Sequence, residues 1–108
     1  MNLKDFERVT EDRINTCLST LDYKGAEYAT LDRLHNFKVA AAMQEIPVKQ
    51  ALWGMMAKHI VSLTDMCMQP DNYPLDLWDE KIGDAICYLL LLNAVVKEPA
   101  ILAESEGC

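Results

Sequence analysis

Apolar residues recur at spacings of three to five along four segments of the chain, a pattern that predicts helices with one apolar face. The first segment covers residues 3–21. The second covers residues 30–43, where Thr30 suits the N-cap position of a helix. Between them, residues 22–29 show no clear periodicity, and Gly25 predicts a bend or a close approach to another backbone.

The third and fourth segments are bounded by prolines. Pro47 suits the first turn of a helix that continues for about five turns. The fourth helix begins near Asp76, which with Asp79 resembles an N-terminal capping arrangement, and it ends at Pro99. No segment alternates convincingly with a period of two. The pattern therefore predicts a single all-α domain over residues 1–108, arranged as a four-helix bundle.

The predicted fourth helix is apolar on nearly every side between Ala85 and Val96. A helix in a small bundle normally has a solvated face, so this one is expected to meet a second subunit as well as its own core. A helix that is central in its own bundle would show the same pattern. Of the two interpretations, we favour a homodimer or a larger homo-oligomer.

The chain has 108 residues, 51% of them hydrophobic, and 10 basic against 17 acidic side chains give it a net charge of −7. The apolar fraction excludes a disordered acidic tail. A surface of this charge repels phosphate backbones, so long nucleic acids are unfavourable partners. A small phosphorylated ligand is compatible with it, because a few cations or a divalent metal neutralise the charge locally.

The four cysteines, Cys17, Cys67, Cys87 and Cys108, lie far apart and show no zinc-ligand spacing, which is typical of a reducing compartment. The first residues contain no apolar signal region, and the longest apolar run is too short to cross a bilayer. We therefore expect a cytoplasmic protein without a membrane partner.

Ionisable and polar side chains interrupt the apolar pattern of three predicted helices. They are Arg33, His35 and Asn36 on the second helix, Lys58, His59, Ser62 and Asp65 on the third, and Glu80, Lys81 and Asp84 on the fourth. Antiparallel packing across short loops would bring these groups to one pocket that holds carboxylates, cations and an amide.

The carboxylates of this set predict a site for a hard divalent metal such as Mg²⁺. Glu80 and Asp84 lie one turn apart and can share an ion, and Asp65 from a facing helix would complete the coordination of that ion. A metal-bound water would then attack a phosphoanhydride. Structural interpretations stay open beside this one. Glu80 lies in a first helical turn, where the helix dipole favours a carboxylate, and Lys58 with Asp65 fits an exposed stripe. His59 also fits a partly buried structural histidine.

Four blocks of the sequence carry a family resemblance: YKGAEYA (23–29), DRLHNFK (32–38), KHIVSLTDM (58–66) and DEKIGDAICYL (79–89). They resemble small phage and prophage proteins that are similar to the MazG-like, all-α nucleoside triphosphate pyrophosphohydrolases. The resemblance covers most of residues 23–96. It implies an oligomeric helical bundle in which acidic residues of two neighbouring helices hold Mg²⁺ on a nucleoside triphosphate.

The sequence departs from the metal motif that this family implies. Asp84 matches the Asp of an E-x-x-D motif, whereas Lys81 stands in the place of the Glu and Glu80 lies one position away. The third helix offers one carboxylate, Asp65, where an E-x-x-E element is expected. A lysine in place of a carboxylate pairs directly with phosphate, so nucleotide binding can persist without metal-dependent hydrolysis.

Three functions follow as hypotheses. The first is a nucleotide-handling enzyme, a Mg²⁺-dependent pyrophosphohydrolase that releases a nucleoside monophosphate and pyrophosphate, with His59 as the catalytic candidate. The second is a non-catalytic protein that sequesters a nucleotide or a signalling nucleotide. The candidate binding residues are Arg33, His35, Asn36, Lys58, Ser62 and Lys81. The third is an acidic phage protein that inhibits a host protein.

Overall fold

The chain forms four α-helices in a computed structural model that describes residues 1–27, 32–69 and 72–106. The helices are α1 (Leu3–Glu27), α2 (His35–Gln44), α3 (Val48–Met68) and α4 (Leu75–Glu106). These residues contain no β-strand, which confirms the all-α prediction.

The helices pack side by side in the order α2, α3, α4, α1, and within the described residues the backbone of each approaches only its neighbours in that row. α1 runs parallel to α4. Arg13 pairs with Asp79, and four residues later on both helices the Cys17 thiol donates to the Gly83 carbonyl, so the two chains advance in the same direction. Their contact is close, since a Cβ on Gly83 would lie 2.9 Å from the Arg13 guanidinium. As α4 starts at Leu75, the first turns of α1 extend beyond it.

This arrangement is longer than a compact domain. The molecule measures 49 × 33 × 23 Å, and its radius of gyration is 16.6 Å, against about 13 Å for a compact chain of this length. Leu3 and Phe6, on the turns of α1 that pass the start of α4, are both exposed. The elongated shape therefore leaves apolar surface in solvent that a closed bundle would bury.

A cluster of buried apolar residues lies between α2, α3 and α4. At its centre is Leu52 of α3, which is fully buried. Leu34 and Phe37 complete the buried cluster, while Tyr88 and Leu91 of α4 pack against it. Burial of a leucine side chain favours folding by roughly 1.5–3 kcal/mol, so this cluster fixes how the last three helices meet.

Two predicted helix ends are wrong. α1 continues past Gly25 to Glu27, and the sequence pattern does not predict this because the exposed residues 22–24 carry no apolar periodicity. Lys24 in its last turn is also favoured by the helix dipole. α4 runs through Pro99 and continues to Glu106, about two turns further. Since Pro99 is exposed, water can solvate the carbonyl that loses its hydrogen-bond donor there.

The helix starts also differ in detail from the sequence pattern. Thr30, the predicted N-cap, lies outside the described residues. α2 begins after Leu34, whose backbone N–H donates to Asp32 Oδ1 at 2.9 Å. Asp76 lies within the first turn of α4, where the dipole favours it, and the Pro74 carbonyl accepts the bonds that start the helix.

A left-handed residue turns the chain between α2 and α3. Glu45 has φ 55° and ψ 43°, and its N–H donates to the Ala41 and Ala42 carbonyls. The Ile46 N–H donates to Ala41 at 3.0 Å, which completes a Schellman-type cap. Pro47 follows as the extended N-cap residue of α3, one position before the first turn in which the sequence pattern predicts it.

Candidate functional site

A cavity of about 430 Å³ lies between side chains from all four helices, and we call it the four-helix cavity. Its lining consists of Thr20, Leu21 and Lys24 from α1, Arg33 from the turn before α2, Asn36 and Phe37 from α2, Met55 and His59 from α3, and Asp84, Cys87, Tyr88 and Leu91 from α4. Small-molecule sites typically have volumes of about 300–1,000 Å³ and combine apolar walls with a few polar groups. The four-helix cavity meets both criteria.

Two cations line the four-helix cavity, together with the amide of Asn36. Lys24 comes from the last turn of α1, and Arg33 is half-buried. Arg33 Nη2 donates to the Leu21 carbonyl at 3.5 Å, which holds the guanidinium beside α1. Asp84 is the one carboxylate among the described residues of the lining. The described lining therefore contributes two cationic side chains and one carboxylate, although the chain carries a net charge of −7.

Aromatic rings form one wall of the four-helix cavity. Tyr88 lies at the centre of the group, with its ring centroid 6.5 Å from that of Phe37 in an edge-to-face contact. The His59 ring lies 5.0 Å from Tyr88 at an angle of 35°. Because these rings come from α2, α3 and α4, the packing of the core also orients this wall. A planar aromatic ligand can stack on such a surface.

His59 and Asp84 connect α3 to α4 at the edge of the cavity. Nδ1 of His59 lies 3.5 Å from Oδ2 of Asp84, and the imidazole side chain is 14% exposed. The carboxylate and the Tyr88 ring together restrict the orientation of the imidazole. His59 is thus a positioned side chain beside a cavity, which is compatible with both its catalytic and its structural interpretation.

A second cavity of about 470 Å³ adjoins the first and shares Thr20, Asp84 and Cys87 with it. Its remaining lining is mostly polar and comprises Arg13, Thr16, Cys17, Asp76, Asp79, Glu80 and Gly83. Arg13 Nη2 donates to Asp79 Oδ1 at 2.9 Å and so neutralises one of these acids. Asp84 therefore lies at the junction of the four-helix cavity and this second, acidic cavity.

The three carboxylates predicted to hold Mg²⁺ do not all line one cavity. Glu80 and Asp84 both line the acidic cavity, one turn apart, whereas Asp65 is exposed on α3 and lines neither cavity. In the described ranges, no group of three His, Cys, Asp or Glu side chains is placed to hold a metal ion. Mg²⁺ usually binds one or two carboxylates together with substrate phosphates. The pair Glu80 and Asp84 fits a metal that is also held by a phosphorylated ligand.

Two buried thiols lie where α1 and α4 approach each other. Cys87 Sγ donates to the Cys17 carbonyl at 3.8 Å, and Cys17 Sγ donates to the Gly83 carbonyl at the same distance. Burial, with a smaller effect of the neighbouring Cys17 thiol, raises the pKa of Cys87 to about 11. Cys87 is therefore a neutral thiol at physiological pH and packs as a small apolar side chain.

Four of the residues singled out in the sequence meet at the four-helix cavity: Arg33, Asn36, His59 and Asp84. The predicted binding residues outside its lining are His35, Lys58, Ser62 and Lys81. Lys58 and His35 are exposed, and the Ser62 hydroxyl donates to the Lys58 carbonyl within α3 at 3.0 Å. Lys58 precedes His59 and so points about 100° away from it around the helix.

Sequence reasoning missed Lys24 because it ended the first helix at Leu21. The signal that would have found it is the spacing of Cys17, Leu21 and Lys24, which places the lysine on the apolar face of a longer α1. Tyr88 was also missed as a site residue, because in a nearly uniform apolar helix its sequence position alone does not distinguish a cavity wall from a core contact.

Comparison of the chain with protein-family models, with curated proteins and with solved structures gives no match. Among the described helices, α4 is long and apolar enough to cross a membrane when judged by length and composition. A core or interface helix of a protein outside the membrane passes the same test.

Proposed function

We propose that the four-helix cavity binds a nucleotide. The observation that carries this proposal is the combination, in one cavity of about 430 Å³, of Lys24 and Arg33 with the aromatic rings of Phe37 and Tyr88. A nucleotide carries the complementary groups, namely an anionic phosphate group joined to a planar base.

Electrostatics favour a small phosphorylated ligand over a long polyanion. The net charge of −7 disfavours an extended phosphate backbone along the outer surface. Among the described lining residues, Lys24 and Arg33 are cationic and Asp84 is acidic. Charge-assisted hydrogen bonds from such cations to phosphate are roughly twice as strong as neutral ones. The ligand's phosphate would therefore lie toward Lys24 and Arg33.

The aromatic wall supplies the contact for the base. Stacking of a base on an aromatic side chain contributes about 1–3 kcal/mol. The amide of Asn36 has both a donor and an acceptor and can bond the polar edge of a base. The phosphate would contact cations from α1 and the turn before α2, and the base would contact rings and the amide from α2 and α4, so one ligand would contact several helices.

Binding by isothermal titration calorimetry tests the proposal. Ribo- and deoxyribonucleoside mono-, di- and triphosphates and cyclic dinucleotides are titrated, each with EDTA and with Mg²⁺. Arg33→Ala removes a charged hydrogen-bond donor and should weaken binding at least about tenfold, since such bonds contribute roughly 1.5–3 kcal/mol. Lys58→Ala is the matched control, because Lys58 is an exposed lysine outside the cavity.

The outcome that contradicts nucleotide binding is a wild-type protein with no affinity for any of these nucleotides, with or without Mg²⁺. That result would favour the third hypothesis, an acidic protein that inhibits another protein. An equal loss of affinity in Lys58→Ala and Arg33→Ala would place the site elsewhere on the helices.

A Mg²⁺-dependent pyrophosphohydrolase is the second candidate, and the position of Asp84 at the junction of the two cavities favours it. Glu80 and Asp84 would hold the metal, which would supply charge neutralisation at the phosphates. Release of pyrophosphate from triphosphates with Mg²⁺ would support this function. Asp84→Asn should then abolish release, while Asp65→Asn should preserve it. Binding without any release would instead support sequestration.

A further inference from the structure

Three charged side chains beside the four-helix cavity form a connected group, Asp32, Lys38 and Glu98, which we call the Lys38 cluster. The Lys38 ammonium donates to Asp32 Oδ2 at 2.6 Å and to Glu98 Oε2 at 2.9 Å. Asp32 precedes α2, Lys38 lies near the start of α2, and Glu98 lies on α4. An isolated surface ion pair contributes little, but several connected charges hold a geometry more firmly. The cluster therefore fastens the start of α2 to α4.

The Lys38 cluster fixes the turn that carries Arg33. The two carboxylate oxygens of Asp32 bond different groups, since Oδ1 accepts from the Leu34 N–H at 2.9 Å and Oδ2 accepts from Lys38. On the other side of Arg33, the Leu34 side chain is buried in the apolar cluster of α2, α3 and α4. The backbone of Arg33 is thus held on both sides, by an ionic contact before it and by an apolar contact after it.

The cluster also places this turn on the face of α4 that lines the four-helix cavity. Leu91, Ala94 and Glu98 follow one another at intervals of three and four residues, so they share one face of the helix. A further cavity of about 560 Å³ is lined by all three members of the Lys38 cluster, and it shares Arg33 and Leu91 with the four-helix cavity. Arg33 therefore lies between the cluster and the candidate binding site.

A guanidinium that is already in place binds an anion with a smaller loss of conformational entropy. Arg33 has such a place, because its Nη2 donates to the Leu21 carbonyl of α1 at 3.5 Å. This contact depends on where the turn before α2 lies relative to α1 and α4. The mutual hydrogen bond lowers the pKa of Asp32 and raises the pKa of Lys38, so both side chains are charged near neutral pH and the turn stays fastened.

We propose that Lys38 is a positioning residue for ligand binding, which holds residues 32–34 on α4 so that Arg33 reaches the four-helix cavity. Lys38 itself is outside the lining of that cavity, so it acts through Arg33. The effect of Lys38 on affinity rests on the proposed nucleotide function, whereas the placement of Arg33 does not. The two parts are therefore tested by separate measurements.

Tryptic cleavage after Arg33, followed by mass spectrometry, tests the placement without any nucleotide. Lys38→Met removes the ammonium and keeps an unbranched side chain of similar length. Cleavage after Arg33 should accelerate at least about threefold relative to cleavage after Lys58, a site within α3 that reports general unfolding. Lys97→Met is the matched control, because Lys97 is an exposed lysine next to Glu98 on α4, and it should leave this ratio unchanged.

Isothermal titration calorimetry with ATP in EDTA tests the effect on binding through a double-mutant cycle. In the wild-type background, Lys38→Met should raise the dissociation constant for ATP at least about threefold, and in an Arg33→Ala background by less than about 1.5-fold, because residues that act through one another are not additive. A merely structural role would weaken both backgrounds equally. Lys38→Arg should restore the affinity, since a guanidinium can donate to both carboxylates of the cluster.

The possible results separate this proposal from nucleotide binding itself. Equal weakening by Lys38→Met in both backgrounds, or an unchanged affinity for ATP, would overturn the positioning role. If the wild-type protein does not bind ATP, the cleavage ratio decides the placement alone, and an unchanged ratio overturns it. Circular dichroism checks the folding of each variant. If Lys38→Met fails to fold, Glu98→Gln replaces it, since this change weakens the attachment to α4 and keeps the Asp32 contact, and it should accelerate cleavage after Arg33 in the same direction.

Discussion

Truncation of Leu52 to alanine is the most direct test of how α2, α3 and α4 pack. The side chain is fully buried in the cluster that it forms with Leu34 and Phe37. Leu52→Ala removes buried carbon atoms from this cluster, and the surrounding side chains can fill the space only in part.

The expected loss follows from burial and from the mobility of the neighbours. Buried leucine-to-alanine changes cost about 2–5 kcal/mol, depending on how far the site collapses. Met55 is half-buried and conformationally adaptable, so partial collapse favours a value of about 3 kcal/mol. A domain of this size has a stability of roughly 5–15 kcal/mol. At about 4–8 °C per kcal/mol, the melting temperature should fall by roughly 12–24 °C.

Urea unfolding followed by far-UV circular dichroism measures this loss, with all proteins at the same concentration. Leu75→Ala is the matched control: Leu75 is 76% exposed, so its truncation should change the stability by less than about 0.5 kcal/mol. A loss below about 1 kcal/mol for Leu52→Ala, with an unchanged urea dependence, would refute the packing described above.

Three further predictions concern local features. Glu45→Gly should stabilise the protein by about 0.5 kcal/mol, seen as a higher urea midpoint, because glycine adopts the left-handed cap without a Cβ penalty; a lower midpoint would contradict this. The Lys38 ammonium, 2.6 Å from Asp32, lowers the pKa of that carboxyl below its ordinary 3.8. The ion pair therefore stabilises the fold at pH values above the ordinary pKa of the carboxyl, and this stabilisation is lost as the carboxyl becomes protonated at lower pH. The difference in unfolding free energy between wild type and Asp32→Asn should shrink on acidification. A difference that does not change with pH would show that the ion pair is not its cause. At neutral pH, iodoacetamide should alkylate exposed Cys67 rapidly and Cys87 slowly, because burial raises the pKa of Cys87 to about 11; site-resolved mass spectrometry would show equal rates if that burial were wrong.

The sequence pattern predicts helices well where apolar residues face a partner and poorly where the helix surface is solvated. It identifies the four helices because their buried sides carry apolar residues at helical spacing. It ends α1 too early, since the exposed residues after Leu21 carry no apolar signal. It also ends α4 too early, at Pro99, since the low helix propensity of proline is a local property and does not show that the helix continues on both sides of it.

The candidate site shows the same division. Arg33, Asn36 and His59 stand out as polar residues near apolar ones, and the structure brings them to one cavity. Lys58 stands out equally in the sequence, but one step around the helix places it in solvent. Which polar residues converge depends on how α1 lies beside α4, and no local pattern encodes that parallel arrangement.

The attachment of α1 also has a consequence for the order of folding. Its contacts with α4 join residues that are far apart in the chain: Arg13 and Asp79 are separated by 66 positions, and Cys17 and Cys87 by 70. Closing a loop of this length costs more conformational entropy than forming the short connections among α2, α3 and α4. During synthesis α1 leaves the ribosome first and gains its partner last, so its apolar face has to remain protected from aggregation until α4 has emerged.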